Sequence, residues 1–407
     1  MKATSWRRGE RGLLWALTAG VAGFYLTQLW QIRRGLFIAR QPQREEEFEE
    51  PLPHVSIVVP ARNERRNIRR CVISLLAQDY PDFDVIVVDD GSTDGTADIL
   101  AELQHGPGGQ RLSVVRAGAL PKGWAGKPHA MAIGASLAHG EWLLFTDADT
   151  FHHSGALTWA MREGIRRNAD LVSLLSHMEM VDPANHMIMP IVMMGISAQY
   201  APDQIADPKS PIALANGQYI LVSRDMYDQV GGYSGPQLRG SLVDDRDMAA
   251  AVKGHGGRLA LLDGRDHLDV CMYRSLAEAW KGWSKNAYTG SRGGMPAFVV
   301  MALGLPTITV LPFVLWLTGI FSRRAALTLA GTIQLASIFA YRSSVDHHLR
   351  HSRLWGFTHP IGGAIFTALL ANAIRRKITR RGVTWSGRSY DPAQAQIKVS
   401  HREESMH

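Results

Sequence analysis

Gly140-Glu-Trp-Leu-Leu-Phe-Thr-Asp-Ala-Asp149 decides the fold class of this chain. An apolar run of strand character passes directly into two carboxylates separated by one residue. In an extended segment residues i and i+2 share a face, so Asp147 and Asp149 leave the sheet edge together and can share one hard divalent cation. Taken alone, D-x-D also fits a surface turn, since Asp is a common turn former.

The segments upstream decide between those readings. Val85-Ile-Val-Val88 is a second buried strand, followed by Asp89-Asp90-Gly91-Ser92-Thr93-Asp94-Gly95 and a helical pattern from Thr96 to Leu103. Pro53 to Val59 is a third strand; it leads into Pro60-Ala-Arg-Asn-Glu64 and a helix from Arg66 to Gln78. In open α/β sheets ligands bind beyond the carboxyl ends of the strands, so three polar rims converge on one site.

The order V-V-P-A-R-N-E, V-V-D-D-G-S-T-D-G-T, G-K-x-x-A and D-A-D resembles glycosyltransferase family 2, over Val55 to Tyr288. The expected fold is therefore α/β, a GT-A nucleotide-diphospho-sugar transferase domain flanked by transmembrane helices. Asn216-Gly-Gln-Tyr219, Val243-Asp-Asp245, Met272-Tyr-Arg-Ser, Gly282-Trp-Ser-Lys-Asn286 and Trp385 to Tyr390 are similar to membrane enzymes of that family associated with carotenoid and hopanoid glycosylation.

The resemblance implies roles. Asp90 would bond the uracil ring, with Asp89 or the Pro60, Arg62, Glu64 turn supporting the ribose. Lys127, beside a helix N-terminus, suits phosphate oxygens, although a solvated lysine is the plain alternative. Asp149 would ligate the cation, with Asp147 on the ribose or the metal, and oxygen donors suit Mg or Mn equally. His152 and His153 read as exposed loop residues. Asp245 matches the family's catalytic base, with Asp244 where the family has Glu; helix capping is the competing explanation. Asn216 and Gln218 would face the acceptor.

The 407 residues leave room for one catalytic domain and more. A hydrophobic content of 46% averages a soluble domain with apolar spans. The net charge of +7 borders those spans, which argues for membrane anchoring and against nucleic acid. Two cysteines exclude a disulfide framework. The expected order is a basic tail at 1–12, an anchor at 13–32, a linker at 33–52 and the catalytic domain at 53–270. An interfacial helix region follows at 271–296, then two to three crossing or re-entrant segments at 297–374 and a basic tail at 375–407. Leu13 to Ile32 is long enough to span, and Arg33-Arg34 rather than a cleavage site follows it.

Ala297 to Phe321, Ala325 to Tyr341 and Leu354 to Ile374 could each cross. An odd number leaves the basic tail on the wrong side of the charge rule, so one should be re-entrant or interfacial, and His359-Pro-Ile-Gly-Gly363 marks Leu354 to Ile374. In the helix from Ser275 to Tyr288, Trp280 and Trp283 share an apolar stripe, with Lys285 on another face, as in a helix lying at the bilayer surface.

The resulting expectation is a multi-pass enzyme of the cell (inner) membrane with a cytosolic catalytic domain. It would move a sugar, with inversion, from a UDP-sugar donor to a membrane-embedded lipid acceptor such as a terpenoid. A polyprenyl-phosphate sugar transferase, a polysaccharide synthase and a non-catalytic scaffold are the alternatives. The frame Ala279-Trp-Lys-Gly-Trp283 lacks the Gln and Arg of the synthases' Q-x-x-R-W.

Overall fold

The structure, a computed structural model, describes residues 8–40, 51–290, 294–379, 383–385 and 388–390. It forms two compact units, one drawn from Gln43–Ser176, Ala213–Val270 and Arg376–His407, the other from Met1–Pro42, His177–Ile212 and Cys271–Arg375.

The first unit is built on a seven-stranded sheet. Its strands are β1 (Val55–Ala61), β2 (Phe83–Asp89), β3 (Leu112–Arg116), β4 (Trp142–Phe145), β6 (Leu171–Leu175), β8 (Ile220–Ser223) and β9 (Leu259–Asp263), in the order β3-β2-β1-β4-β8-β6-β9. β1 to β4 run parallel; β8 is antiparallel to β4 and β6. The chain leaves β1 toward β2 and β3, then returns to the other side of β1 as β4. That reversal opens the crevice in which ligands of such sheets lie. A short pair, β5 (Thr150–His152) with β10 (Leu268–Val270), branches off just after β4.

Alternation along β1 feeds two cores. Val55, Ile57 and Val59 pack with Ile68, Cys71, Val72 and Leu75 of the helix Ile68–Leu76 and with Leu157 and Met161 of Ala156–Arg166. Val58, Ile86 and Val88 face Ala130, Met131 and Ala135 of Gly126–Leu137 and Met248 and Val252 of Asp244–Gly254. Helices therefore cover both sheet faces, which is why the strands are apolar throughout. Gly134 allows the closest approach: a Cβ there would lie 2.3 Å from Val58 Cγ1.

The second unit is helical, apart from the two-residue β7 (His177–Met178). Three of its helices are long and apolar enough to cross a membrane: Gly9–Arg40, Phe298–Phe321 and Arg353–Arg376. This corrects the expectation that Leu354 to Ile374 is the interrupted segment. Pro360 stands in the first turn of the helix His359–Ile378, where its missing N–H costs nothing, so it starts the helix rather than breaking it. The segment that falls short is Ala325–His348, which carries buried Gln334, Arg342 and Asp346.

Prolines inside these helices free carbonyls, and buried side chains take them up. Pro190 has no N–H for the His186 carbonyl four residues earlier; Arg342 Nη2 donates to it at 3.4 Å and to the Trp355 carbonyl at 3.0 Å. Pro312, in the first turn of Leu311–Phe321, likewise has no N–H for Ile308, whose carbonyl accepts from Tyr25 Oη at 3.0 Å. Arg342 also pairs with Asp346 at 3.1 Å, both groups being fully buried.

The helix Leu276–Gly290 departs from the interfacial reading. Trp283 is 9% exposed and packs in this unit's core beside Tyr273, ring centroids 5.9 Å apart, while Trp280 is half-buried on the same core. The stripe covers the unit's own interior. The side chain of Lys285, the acidic run Glu45 to Glu50, the Arg380-Arg381 pair and the Ser386-Gly387 part of the C-terminal motif lie outside the described residues.

Candidate active site

The loops after β1 and β2 are laced together. Arg62 Nη1 donates to the Asp90 carbonyl at 2.6 Å and lies 3.6 Å from its carboxylate; Asp90 N donates to the Ala61 carbonyl at 2.8 Å. Asn63, at a φ of 58°, accepts from Thr93 N at 2.8 Å and donates its own N–H to Ser92 at 2.9 Å. Asp89 accepts from Ser92 N at 3.0 Å and so shapes the turn. Asp89 and Asp90 are both buried, and Pro60 lies within β1 itself. Glu64 accepts from Asn67 at 3.0 Å, and burial raises its pKa above the ordinary carboxylate value.

Asp147 and Asp149 occupy the turn between β4 and β5 rather than a strand face. Asp147 Oδ1 meets Lys127 Nζ at 2.7 Å. Asp149 is pushed up to about 8, first by burial, then by Asp147 and Glu64. Its Oδ1 is buried and has no hydrogen-bond partner among the described residues.

Lys127 stands in the first turn of Gly126–Leu137, where the helix dipole disfavours a cation. Carboxylates outweigh that penalty. Besides Asp147, Asp244 Oδ2 lies 3.4 Å from Nζ. Burial works against the ammonium charge, but Asp147, Asp244 and Asp245 together raise its pKa above the ordinary lysine value. This is not a freely solvated lysine.

Asp244 and Asp245 open the helix Asp244–Gly254, whose N-cap is Val243; neither carboxylate caps it by the usual bond. Asp245 Oδ2 accepts from Gly217 N at 3.2 Å, and Oδ1 accepts from Arg246 N at 2.7 Å. Arg246 pairs with Asp247 at 2.8 Å, so Lys127 is the cation that offsets the pair at the helix start. Burial first, then Asp244, pushes Asp245 up to about 6.

Asn216 and Gln218 spend their amides locally. Asn216 Nδ2 donates to the Leu174 carbonyl at 2.9 Å and to Gln218 Oε1 at 3.0 Å, and Ser176 Oγ also donates to Gln218 Oε1. They build the turn that delivers Gly217 N–H to Asp245. His152 is corrected too: it is a buried residue of β5, held neutral by burial with a pKa lowered to about 3. His153, by contrast, pairs with Asp269 at 3.0 Å. Gly217, Thr146, Thr150 and His152 carry no spacing signal in the sequence; only the topology brings them to the rim.

A divalent cation fits this rim. No set of three or more His, Cys, Asp or Glu side chains is placed to cage a metal among the described residues. A magnesium-like ion, however, binds by one or two carboxylates and completes its shell with phosphate oxygens and water. The unpartnered, buried Asp149 oxygen beside Asp147 offers that kind of foothold.

The mixed sheet, its reversal at β1 and β4 and the acid-lined crevice define a GT-A type glycosyltransferase domain with candidate membrane helices on both sides in the chain. Residues 56–230 match the family described as Glycosyl transferase family 2. It is 24% identical over 362 residues to a 4,4'-diaponeurosporenoate glycosyltransferase of Staphylococcus aureus (strain bovine RF122 / ET3-1), covering 84% of this chain and 89% of the relative. The corresponding protein of Staphylococcus haemolyticus is 22% identical over 279 residues, 68% of this chain and 69% of the relative. Among solved structures, a mannosyltransferase from Pyrobaculum calidifontis in complex with GDP-Man and Mn2+ shares the fold with a TM-score of 0.54 at 19% identity, covering 91% of this chain and 99% of the other.

Proposed function

We propose that this enzyme transfers one sugar, with inversion, from a UDP-sugar to a lipid acceptor of terpenoid type held in the cell membrane, its catalytic domain facing the cytosol. The carrying observation is the grouping of Asp147, Asp244 and Asp245 around Lys127, with Asp149 as an unpaired neighbour of Asp147. Asp149 and Asp147 would hold Mg or Mn, which when bound neutralises the diphosphate and stabilises the departing nucleotide. Lys127 exchanges its carboxylate partners for phosphate oxygens. Arg62, Asp89 and Asp90 would support the nucleoside, with Asp90 bonding its base.

Asp245 is the acceptor's base. A carboxylate near pKa 6 is ionised at neutral pH yet retains enough basicity to take a hydroxyl proton as that oxygen attacks the anomeric carbon. A second reading follows from the relatives' name, 4,4'-diaponeurosporenoate glycosyltransferase: a carboxylate acceptor arrives already ionised and needs no base. Apolar helices before and after the catalytic segment in the chain support an acceptor that stays in the bilayer.

The test is transfer in detergent: purified protein, Mn, labelled UDP-sugars and GDP-sugars, and bacterial lipid extracts with and without carotenoids, read by mass spectrometry. A lipid gaining one hexose from a UDP donor supports the proposal. Transfer only to polyprenyl phosphate, or repeated addition to a growing polymer, refutes the acceptor class.

A further inference from the structure

Behind the acidic rim lies a buried polar network that the reaction scheme leaves unused. His152 Nε2 is 3.0 Å from Thr146 Oγ1 and 3.1 Å from Thr150 Oγ1, and the two hydroxyls are 3.1 Å apart. Thr146 Oγ1 donates to the Gln218 carbonyl at 2.8 Å, and Thr150 Oγ1 donates to the Asp147 carbonyl at 2.7 Å. Cys71 Sγ also approaches the Asp147 carbonyl, at 3.6 Å, as the weaker donor.

Each hydroxyl has one proton, and each proton is committed to a carbonyl. Both threonine oxygens can then only accept; Cys71 Sγ, 3.7 Å from Thr150 Oγ1, reaches one of them as a weak donor, and the strong donor within reach of both is His152 Nε2–H. The network thus selects the tautomer: neutral imidazole with Nε2–H shared between the two threonines. With Nε2 as an acceptor instead, one buried carbonyl would lose its hydroxyl partner, at a cost that buried groups rarely bear.

The two carbonyls belong to different turns. Asp147 lies on the turn that carries Asp149, and Gln218 closes the turn whose Gly217 N–H holds Asp245. We propose that His152 is a positioning residue which, as the Nε2–H tautomer, bridges these turns and fixes the spacing between the carboxylates serving the donor's cation and the carboxylate serving the acceptor's hydroxyl. The inference rests on the transferase reading above. His152 touches no reacting atom; it acts through Thr146 and Thr150.

Spacing between two half-sites matters in the transition state more than in binding of either substrate, and misplacement by about 1 Å can cost about a hundredfold in rate. His152→Phe should therefore lower kcat by roughly 10- to 100-fold while the KM for donor stays within about threefold. His152→Gln, whose amide N–H has comparable reach, should recover most of that rate. A purely structural role would instead shift the thermal midpoint and leave kcat per folded molecule unchanged.

The tautomer is read on wild-type protein by nitrogen-15 NMR of labelled histidine, with the His152 signal assigned by its loss in His152→Gln. A protonated Nε2 and a kcat-confined loss support the bridge; a protonated Nδ1, or wild-type kcat in folded His152→Phe, overturns it. Should His152→Phe not fold, the tautomer and the His152→Gln rate decide. Should the wild type transfer no sugar, the functional reading fails and the tautomer alone decides whether the bridge exists.

Discussion

Asp245→Asn separates chemistry from architecture at the proposed base. The carboxylate accepts two backbone N–H groups, Gly217 at 3.2 Å and Arg246 at 2.7 Å, whereas an amide offers one oxygen, so one bond is lost. A hydrogen bond to a charged group is worth about 1.5 to 3 kcal/mol, and relief of repulsion from buried Asp244 offsets part of it. The thermal midpoint should fall by only a few degrees. Loss of a positioned base costs 10² to 10⁴-fold, or about 3 to 5 kcal/mol on the barrier. With a hydroxylated lipid acceptor, single-turnover rates at saturating donor should drop by that factor while donor binding is little changed. The pH profile supplies a second check. Protonated Asp245 cannot accept a proton, so wild-type kcat/KM should rise with pH up to about 6 and then level, and the Asn variant should lack that limb. A loss below tenfold in a folded, donor-binding Asp245→Asn protein refutes the assignment and favours an acceptor that arrives ionised.

Three other perturbations test separate parts of the structure. Asp149→Asn should abolish Mn-dependent tightening of nucleotide binding in calorimetry, whereas the wild type should lose it only on chelation; a metal response intact in the variant would sink the ligand role. Gly134→Ala places a methyl 2.3 Å from Val58 Cγ1 and should destabilise the catalytic unit by about 1 to 3 kcal/mol in denaturant melts, with activity per folded molecule retained. Asp346→Ala strands the buried Arg342 guanidinium and should cost about 3 to 5 kcal/mol, while Arg342→Met combined with Asp346→Leu should recover much of it; equal loss in both would contradict the pairing.

Much of the sheet was legible because its strands are apolar on both faces and each ends in a polar motif. β1 and β2 lie within two residues of their expected bounds at each end, and β4 falls inside the apolar run before Asp147. The site was legible as a list of acids but not as a geometry. Strand periodicity put Asp147 and Asp149 on one face, whereas the chain turns after Phe145 and sends Asp147 to Lys127. His152 escaped because a histidine two residues beyond a turn looks exposed until β10 pairs with β5. Trp280 and Trp283 misled because an amphipathic stripe is the same whether lipid, headgroups or other helices cover it, and local sequence does not say which.

The proline-freed carbonyls bear on how the chain is made. Ile308 O is covered by Tyr25, which is also 2.8 Å from His359, so the partners of this contact come from the helix Arg8–Arg40 and from one more than 300 residues later. In hydrocarbon an uncovered carbonyl is costly, and ribosomal synthesis delivers its cover in the order Tyr25, Ile308, His359. The helix Arg8–Arg40 can meet the segment 183–206 early, through Gln28 with Ser197 and Arg34 with Asp203, but its Tyr25 contact is completed only when His359 emerges. A C-terminal truncation before His359 leaves Tyr25 without that partner. Such a product keeps its catalytic segment yet carries an uncovered polar side chain in the helical unit.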